Sequence, residues 1–88
     1  VIPVLTTLNI DNPNYTVPAG KNLIITHNQG NNLDNLNIIL QNGSIINISA
    51  TGGDNIEFYN GGTIISPTYS DGMENNWDYM FSGFLINQ

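Results

Sequence analysis

The sequence predicts an all-β domain, a small antiparallel β-sandwich or jelly roll, on three observations. Alanine occurs only twice in 88 residues, and no window repeats apolar residues with the period of a helix. Runs of β-branched and aromatic residues recur at strand length along the whole chain. Turn-forming residues separate these runs at about 8–12-residue spacing, which is typical of sandwiches and jelly rolls.

Seven or eight strands are expected, the short second one being the uncertain member. In chain order they are "LTTLNI" (5–10), "YTV" (15–17), "KNLIITH" (21–27), "NLNIILQ" (35–41), "SIINISA" (44–50), "NIEFY" (55–59), "TIIS" (63–66) and "YMFSGFLI" (79–86). Asn42-Gly43 separates two apolar runs, and this dipeptide is the strongest short-range signal for a hairpin.

The strands in the middle of the sequence have one apolar face and one mixed face. In residues 35–41, Leu36, Ile38 and Leu40 share a face, while Ile39 lies among polar residues on the other. The same alternation places His27 on the apolar face of its own strand. A monomeric antiparallel sandwich normally alternates more cleanly, so we expect another subunit to cover part of the mixed faces.

The last strand is apolar on both faces. Tyr79, Phe81, Gly83 and Leu85 form one face, and Met80, Ser82, Phe84 and Ile86 form the other. Such a strand is typical of the middle of a sheet with both sides covered. An exposed apolar patch of this size marks an interface. We therefore predict that Phe81, Phe84 and Ile86 contribute to an oligomer interface; the alternative is an unprotected edge strand. Gly83 indicates a bend or a close approach of another backbone.

The size and charge of the chain limit the classes of function that it can have. Residues 1–88 form one domain, whose small core favours support by association between chains, since no cysteine is present. Lys21 is the single cation and the net charge is −6, which argues against nucleic-acid binding. No apolar run approaches the roughly 20 residues of a membrane-spanning helix, so no membrane insertion is expected.

The surface and the first residue suggest where the domain belongs. The 16 asparagines give a neutral, hydrogen-bonding surface that suits sugar binding or an extracellular particle. We expect an extracellular location, or the surface of a virion or secreted particle. The chain begins with valine, so we expect it to be the C-terminal knob of a longer chain.

Three stretches resemble known families. "FSGFLI" (81–86) resembles the closing strand of the tumour necrosis factor and complement globular-head jelly rolls. "YTVPAGKNLIIT" (15–26) and "GGTIIS" (61–66) resemble small domains at the tips of bacterial and phage fibres. The resemblance implies a TNF-like fold that assembles as a homotrimer with its last strand near the three-fold axis. Members of these families are longer, so it also implies a reduced version that lacks some strands.

Catalytic groups are sparse, so no enzyme activity is predicted. His27 is the only histidine, and a lone histidine on an apolar strand is usually structural because a general base needs a positioned partner. Neither a serine-nucleophile nor a zinc-protease pattern occurs. No cofactor and no metal site are predicted. Calcium remains an alternative, since Asp71, Glu74 and Asp78 supply three carboxylates.

The segment "PTYSDGMENNWDYM" (67–80) is the candidate ligand-binding loop. Its candidate binding residues are Tyr69, Asp71, Glu74, Asn75, Asn76, Trp77 and Asp78. An aromatic ring can cover the apolar face of a sugar while amides and carboxylates bind its hydroxyls. The alternative is that Trp77 packs in the core and the acids only solvate the loop.

These observations predict a trimeric attachment module, a knob that recognises a cell-surface glycan or protein receptor at the tip of a fibre. A trimer would present three weak sites together and gain avidity. One alternative is a purely structural cap that only holds three chains in register. The other is a free lectin.

Overall fold

The structure is a computed structural model that describes residues 1–50 and 52–88. These residues form eight β-strands and no helix. The strands are β1 (Ile2–Asn9), β2 (Tyr15–Thr16), β3 (Lys21–Asn31), β4 (Leu33–Ile39), β5 (Ile45–Ser49), β6 (Glu57–Asn60), β7 (Ile64–Tyr69) and β8 (Asp78–Asn87). Every predicted run contains a strand, which confirms the all-β prediction, including the short second strand.

The strands form two four-stranded antiparallel sheets. Sheet I has the order β1-β8-β3-β6, and sheet II has the order β2-β7-β4-β5. The first strand pairs with the last, the second with the seventh, the third with the sixth and the fourth with the fifth. Strand β8 therefore lies inside sheet I, between β1 and β3, as its two apolar faces predicted.

One hydrophobic core joins the two sheets. The ring of Tyr15 in sheet II meets the ring of Phe81 in sheet I edge-on, with centroids 5.1 Å apart. The buried apolar residues are Leu8, Val17, Leu23, Ile25, Leu36, Ile38, Ile65, Trp77, Tyr79, Phe81 and Leu85. They come from both sheets, so the apolar face of each sheet is removed from water by the other.

A β-bulge in β3 changes which face His27 occupies. Ile25 pairs with Gly83, but the next paired residue is His27, opposite Ser82. One extra residue in a strand reverses the alternation beyond it. The prediction that His27 shares the buried face of Ile25 is therefore wrong, because His27 lies on the outer face of sheet I.

The backbone of β3 also lies very close to Gly83. A Cβ atom at Gly83 would lie 1.8 Å from the carbonyl oxygen of Ile24 and 3.0 Å from the Cα atom of Ile25. No side chain fits at that distance, so this position requires glycine. Of the two alternatives predicted for Gly83, a bend or a close approach, the structure shows the close approach.

Strands β1, β3, β7 and β8 are each longer than the run predicted for them. Strand β3 continues through residues 28–31, which lie between two predicted runs, and the chain reverses at Asn32, which has a φ of 59°. Strand β7 contains Pro67, although proline cannot donate a ladder hydrogen bond. Its neighbour β2 pairs only with Ile64 and Ile65, so Pro67 has a strand partner on one side alone, in β4.

Candidate functional site

The predicted ligand loop is a compact turn between β7 and β8, at residues 70–77. Asn32 connects it to the preceding turn: its carbonyl oxygen accepts from the Ser70 amide at 2.8 Å, and its side-chain amide donates to the Asn76 carbonyl at 2.7 Å. The Met73 amide donates to the Ser70 carbonyl and the Asn76 amide to the Met73 carbonyl. The loop is therefore held by its own backbone and by the left-handed Asn32.

Trp77 belongs to the core of the domain. Its side chain is 8 % exposed, and its ring stacks on Tyr69 with centroids 6.4 Å apart and planes 17° apart. Tyr69 is 47 % exposed and covers Trp77 from the solvent side. The two rings lie together, but Tyr69 is the one that offers an aromatic surface to a ligand.

The polar candidates in the loop are spread rather than grouped. Asp71, Glu74, Asn75 and Asn76 are exposed. Asp78 is half-buried at the start of β8 and accepts a hydrogen bond of 2.9 Å from the Asn31 side chain. Within residues 1–50 and 52–88, no three acidic or histidine side chains are placed to hold one metal ion. The loop thus presents exposed amide and carboxylate groups, while Asp78 is bonded to Asn31 of β3.

The outer face of sheet I carries a continuous row of apolar side chains. Pro3 pairs with Phe84, Phe84 with Ile24, and Ile24 with Phe58, so one residue from each strand contributes. We call these four residues the apolar row. Directly opposed residues in antiparallel strands share a face and contact each other. Phe84 is 41 % exposed and Phe58 is 55 % exposed, so the row is open to solvent.

The three predicted interface residues separate onto two faces. Phe81 is fully buried in the core between the sheets. Phe84 and Ile86 lie on the outer face of sheet I, where Phe84 belongs to the apolar row. An interface on this face therefore involves Phe84 and Ile86, while Phe81 stabilises the single chain.

Sheet II presents a more polar outer face. Ile64, Ile39 and Ile45 form one row across it. The neighbouring row consists of Ser66, Asn37 and Asn47, and the Asn47 side-chain amide donates to the Asn37 side-chain oxygen at 2.8 Å. One isoleucine among polar residues on the outer face of each strand is what the strand patterns predicted for β4 and β5.

A polar group at the inner side of sheet I was not predicted. The Asn28 side-chain amide donates to one oxygen of Glu57 at 2.7 Å, and the Tyr59 hydroxyl donates to the other. Burial and the adjacent Glu57 raise the pKa of Tyr59 well above its ordinary value. Burial likewise raises the pKa of Tyr79, and the charge of Glu57 adds to the shift. Asn28 and Glu57 are 29 residues apart, so no local pattern could indicate their contact.

His27 also has a partner that the sequence did not indicate. Its Nδ1 atom lies 2.6 Å from Oδ1 of Asp54, and the two side chains are 40 % and 89 % exposed. The bulge in β3 brings His27 to this outer position. The pair links β3 to the turn before β6, where Asn28 and Gly53 also exchange two backbone hydrogen bonds.

The described residues include no helix that is long and apolar enough to cross a membrane. Comparison with known proteins returned no relative: no family model, no curated protein and no solved structure matches this chain.

Proposed function

We propose that this domain is a trimeric attachment module that recognises a cell-surface glycan or protein receptor without chemical catalysis. The observation that carries the proposal is the apolar row on the outer face of sheet I. In this row the exposed rings of Phe58 and Phe84 lie on either side of Ile24. Contiguous apolar surface of this kind marks a protein–protein contact.

The pairing order supports a jelly roll of the TNF-like kind. Strands pair first with last, second with seventh, third with sixth and fourth with fifth, as in a long hairpin rolled into two sheets. Eight strands are also the number of a double-sheet jelly roll. As an eight-stranded jelly roll this chain would lack no strand, contrary to the expectation of a reduced version.

Sheet I is the better candidate for the trimer interface. Its central strand β8 places Phe84 and Ile86 on the outer face, and Leu5 of the neighbouring β1 is 74 % exposed. Three copies packed through this face would bury the apolar row and place the last strand near the three-fold axis. The 88-residue chain has a small core of its own, so association adds needed stability.

The loop at residues 70–77 is the candidate receptor contact. It carries the exposed side chains of Asp71, Glu74, Asn75 and Asn76, and the exposed ring of Tyr69 precedes it at the end of β7. In a trimer three such loops act together, and linked weak sites gain avidity. A net charge of −6 with one cation favours a neutral or cationic ligand. The location that follows is extracellular, on a fibre, virion or secreted particle.

A structural cap remains the second candidate, because Trp77 is used by the core. The one aromatic residue of the loop is thus buried and the exposed ring of Tyr69 lies in β7, which weakens the sugar-binding argument there.

The test combines molecular mass with binding on a glycan array. Phe84→Asp places a charge in the apolar row, and Thr16→Asp places the same charge at an exposed position on the outer face of sheet II. We expect wild type and Thr16→Asp to be trimers that bind the array, and Phe84→Asp to be a folded single chain with no array signal. A Phe84→Asp protein that keeps its mass and binding would contradict the proposal. A trimer that binds neither the array nor cells would instead be a cap.

A further inference from the structure

The two sheets separate at one edge, where β5 of sheet II faces β6 of sheet I. Both are edge strands. Between them lies a cleft of about 360 Å³. Its lining includes Leu36, Ile48, Ser49, Asn55, Glu57 and Tyr59. Small-molecule sites in proteins occupy about 300–1,000 Å³, so the cleft has room for one small ring rather than for an extended chain.

We propose that this cleft binds a single neutral sugar ring, with the Glu57 carboxylate as the acceptor for its hydroxyl groups. The inference rests on the proposed attachment function only for the role of the bound sugar as part of a receptor. Binding in the cleft itself does not require a trimer. It assigns recognition to the β5–β6 edge rather than to residues 70–77.

Glu57 is a pre-positioned acceptor. Both of its oxygens are held by neutral donors, Asn28 at 2.7 Å and the Tyr59 hydroxyl. Asn28 is 2 % exposed, so the first of these donors is fixed by packing. A carboxylate can accept about four hydrogen bonds, and two are used here. The remaining lone pairs are available to hydroxyl groups that enter the cleft.

The charge of the cleft selects against anions and favours a neutral partner. None of the side chains that line it, among the described residues, carries a positive charge. A phosphate, sulfate or carboxylate would meet the Glu57 charge without compensation, in a chain whose net charge is −6. A metal ion is disfavoured as well, because Glu57 is the one carboxylate in the lining and hard cations take several oxygens.

The rest of the lining matches the two chemical sides of a sugar ring. Leu36, Ile48 and the ring of Tyr59 give apolar surface for the C–H face. Asn55 is exposed at the rim and offers an amide to the ring edge. Apolar walls with a few convergent polar groups are the usual composition of a small-molecule site.

The experiment uses the isotope-labelled protein and a panel of neutral methyl glycosides, observed by amide chemical shifts. We expect at least one methyl glycoside to shift amides of residues 48–49 and 55–59 in wild type. Glu57→Gln should bind it roughly tenfold more weakly, because a charge-assisted hydrogen bond becomes a neutral one. Asp11→Asn removes one carboxylate charge from an exposed turn outside the cleft and outside the 70–77 loop, and should bind like wild type.

A second variant keeps the test valid if Glu57→Gln unfolds. Asn55→Phe adds a ring at the exposed rim, leaves Glu57 and its two donors in place, and should block the cleft. The proposal is overturned if no methyl glycoside shifts these amides, if the shifts map to residues 70–77, or if Asn55→Phe binds as well as wild type. Binding of methylammonium in place of glycosides would also overturn it, since that would identify a cation site.

The outcomes for the cleft and for the attachment module are separable. A monomeric protein whose cleft binds a glycoside would support this inference and contradict the trimer. A trimer whose array binding survives Asn55→Phe but is lost in Tyr69→Ala would support the attachment function and contradict the cleft.

Discussion

Phe81→Ala and Phe84→Ala make the same chemical change on opposite faces of β8, and we expect opposite behaviour. Phe81 is fully buried in the core, whereas Phe84 is 41 % exposed in the single chain. Truncating a buried phenylalanine costs about 3–5 kcal/mol of unfolding free energy. A domain of this length has about 4–13 kcal/mol in total, so Phe81→Ala removes a large share of it. The melting temperature should fall by about 15 °C or more.

Phe84→Ala should act through association between chains. In an isolated chain the loss is about 1 kcal/mol, because much of the ring is already in water. In a trimer the contact with other copies is lost as well, and stability that comes from association depends on protein concentration. Thermal unfolding measured at two concentrations about a hundredfold apart separates these effects. The wild-type melting temperature should rise with concentration, and Phe84→Ala should abolish that rise.

Phe81→Ala should lower the melting temperature at both concentrations and leave its concentration dependence in place. The reasoning is refuted if Phe84→Ala is the more destabilising change at low concentration, since the faces of β8 would then be reversed. A wild-type melting temperature that is independent of concentration would refute the interface.

Three further predictions concern the core and its titratable groups. The Tyr79 hydroxyl is buried and has no hydrogen-bond partner among the described residues, so Tyr79→Phe should stabilise the domain by about 1 kcal/mol in denaturant unfolding; a loss of that size would reveal a hidden partner. Gly83→Ala should prevent folding or cost more than about 3 kcal/mol, because its Cβ would overlap the Ile24 carbonyl, whereas Gly43→Ala, in an open turn at a φ of 85°, should cost about 1–2 kcal/mol. Burial raises the pKa of Tyr59 and of Tyr79 above the ordinary value of 10.0, so the folded state holds these protons more tightly than the unfolded state. The free energy of unfolding should therefore be constant just below about pH 10 and fall as the pH rises above it. Tyr59→Phe should make that fall smaller.

The strand pattern was predictable because it is local. A run of β-branched or aromatic residues indicates each strand, and turn residues such as Asn42-Gly43 separate the runs. The central place of β8 also followed from its composition, since both of its faces are apolar. The two faces of β8 were assigned correctly from alternation alone, with Phe81 on one and Phe84 on the other.

Features that depend on partners distant in sequence were not predictable. The bulge that moves His27 to the outer face of sheet I arises where β3 pairs with β8, and the alternation of residues within β3 does not indicate it. Pro67 can lie within β7 because the neighbouring β2 is only two residues long and does not pair with it. The group of Asn28, Glu57 and Tyr59 depends on β3 and β6 lying side by side.

The candidate site was predicted in part. The loop after β7 does carry Tyr69 and exposed amides and carboxylates, but the alternative reading of Trp77 as a core residue matches its burial. A single tryptophan in a small domain adds more stability in the core than on a surface loop. The cleft between β5 and β6 could not be foreseen, because it exists only where the two sheet edges separate.

Light scattering on the wild-type protein, across a range of concentrations, tests most directly whether this domain assembles as a trimer. We expect a mass of about three times the 9.6 kDa of one chain. A mass of one chain at every concentration would contradict the trimer, and with it the proposed role of the outer face of sheet I.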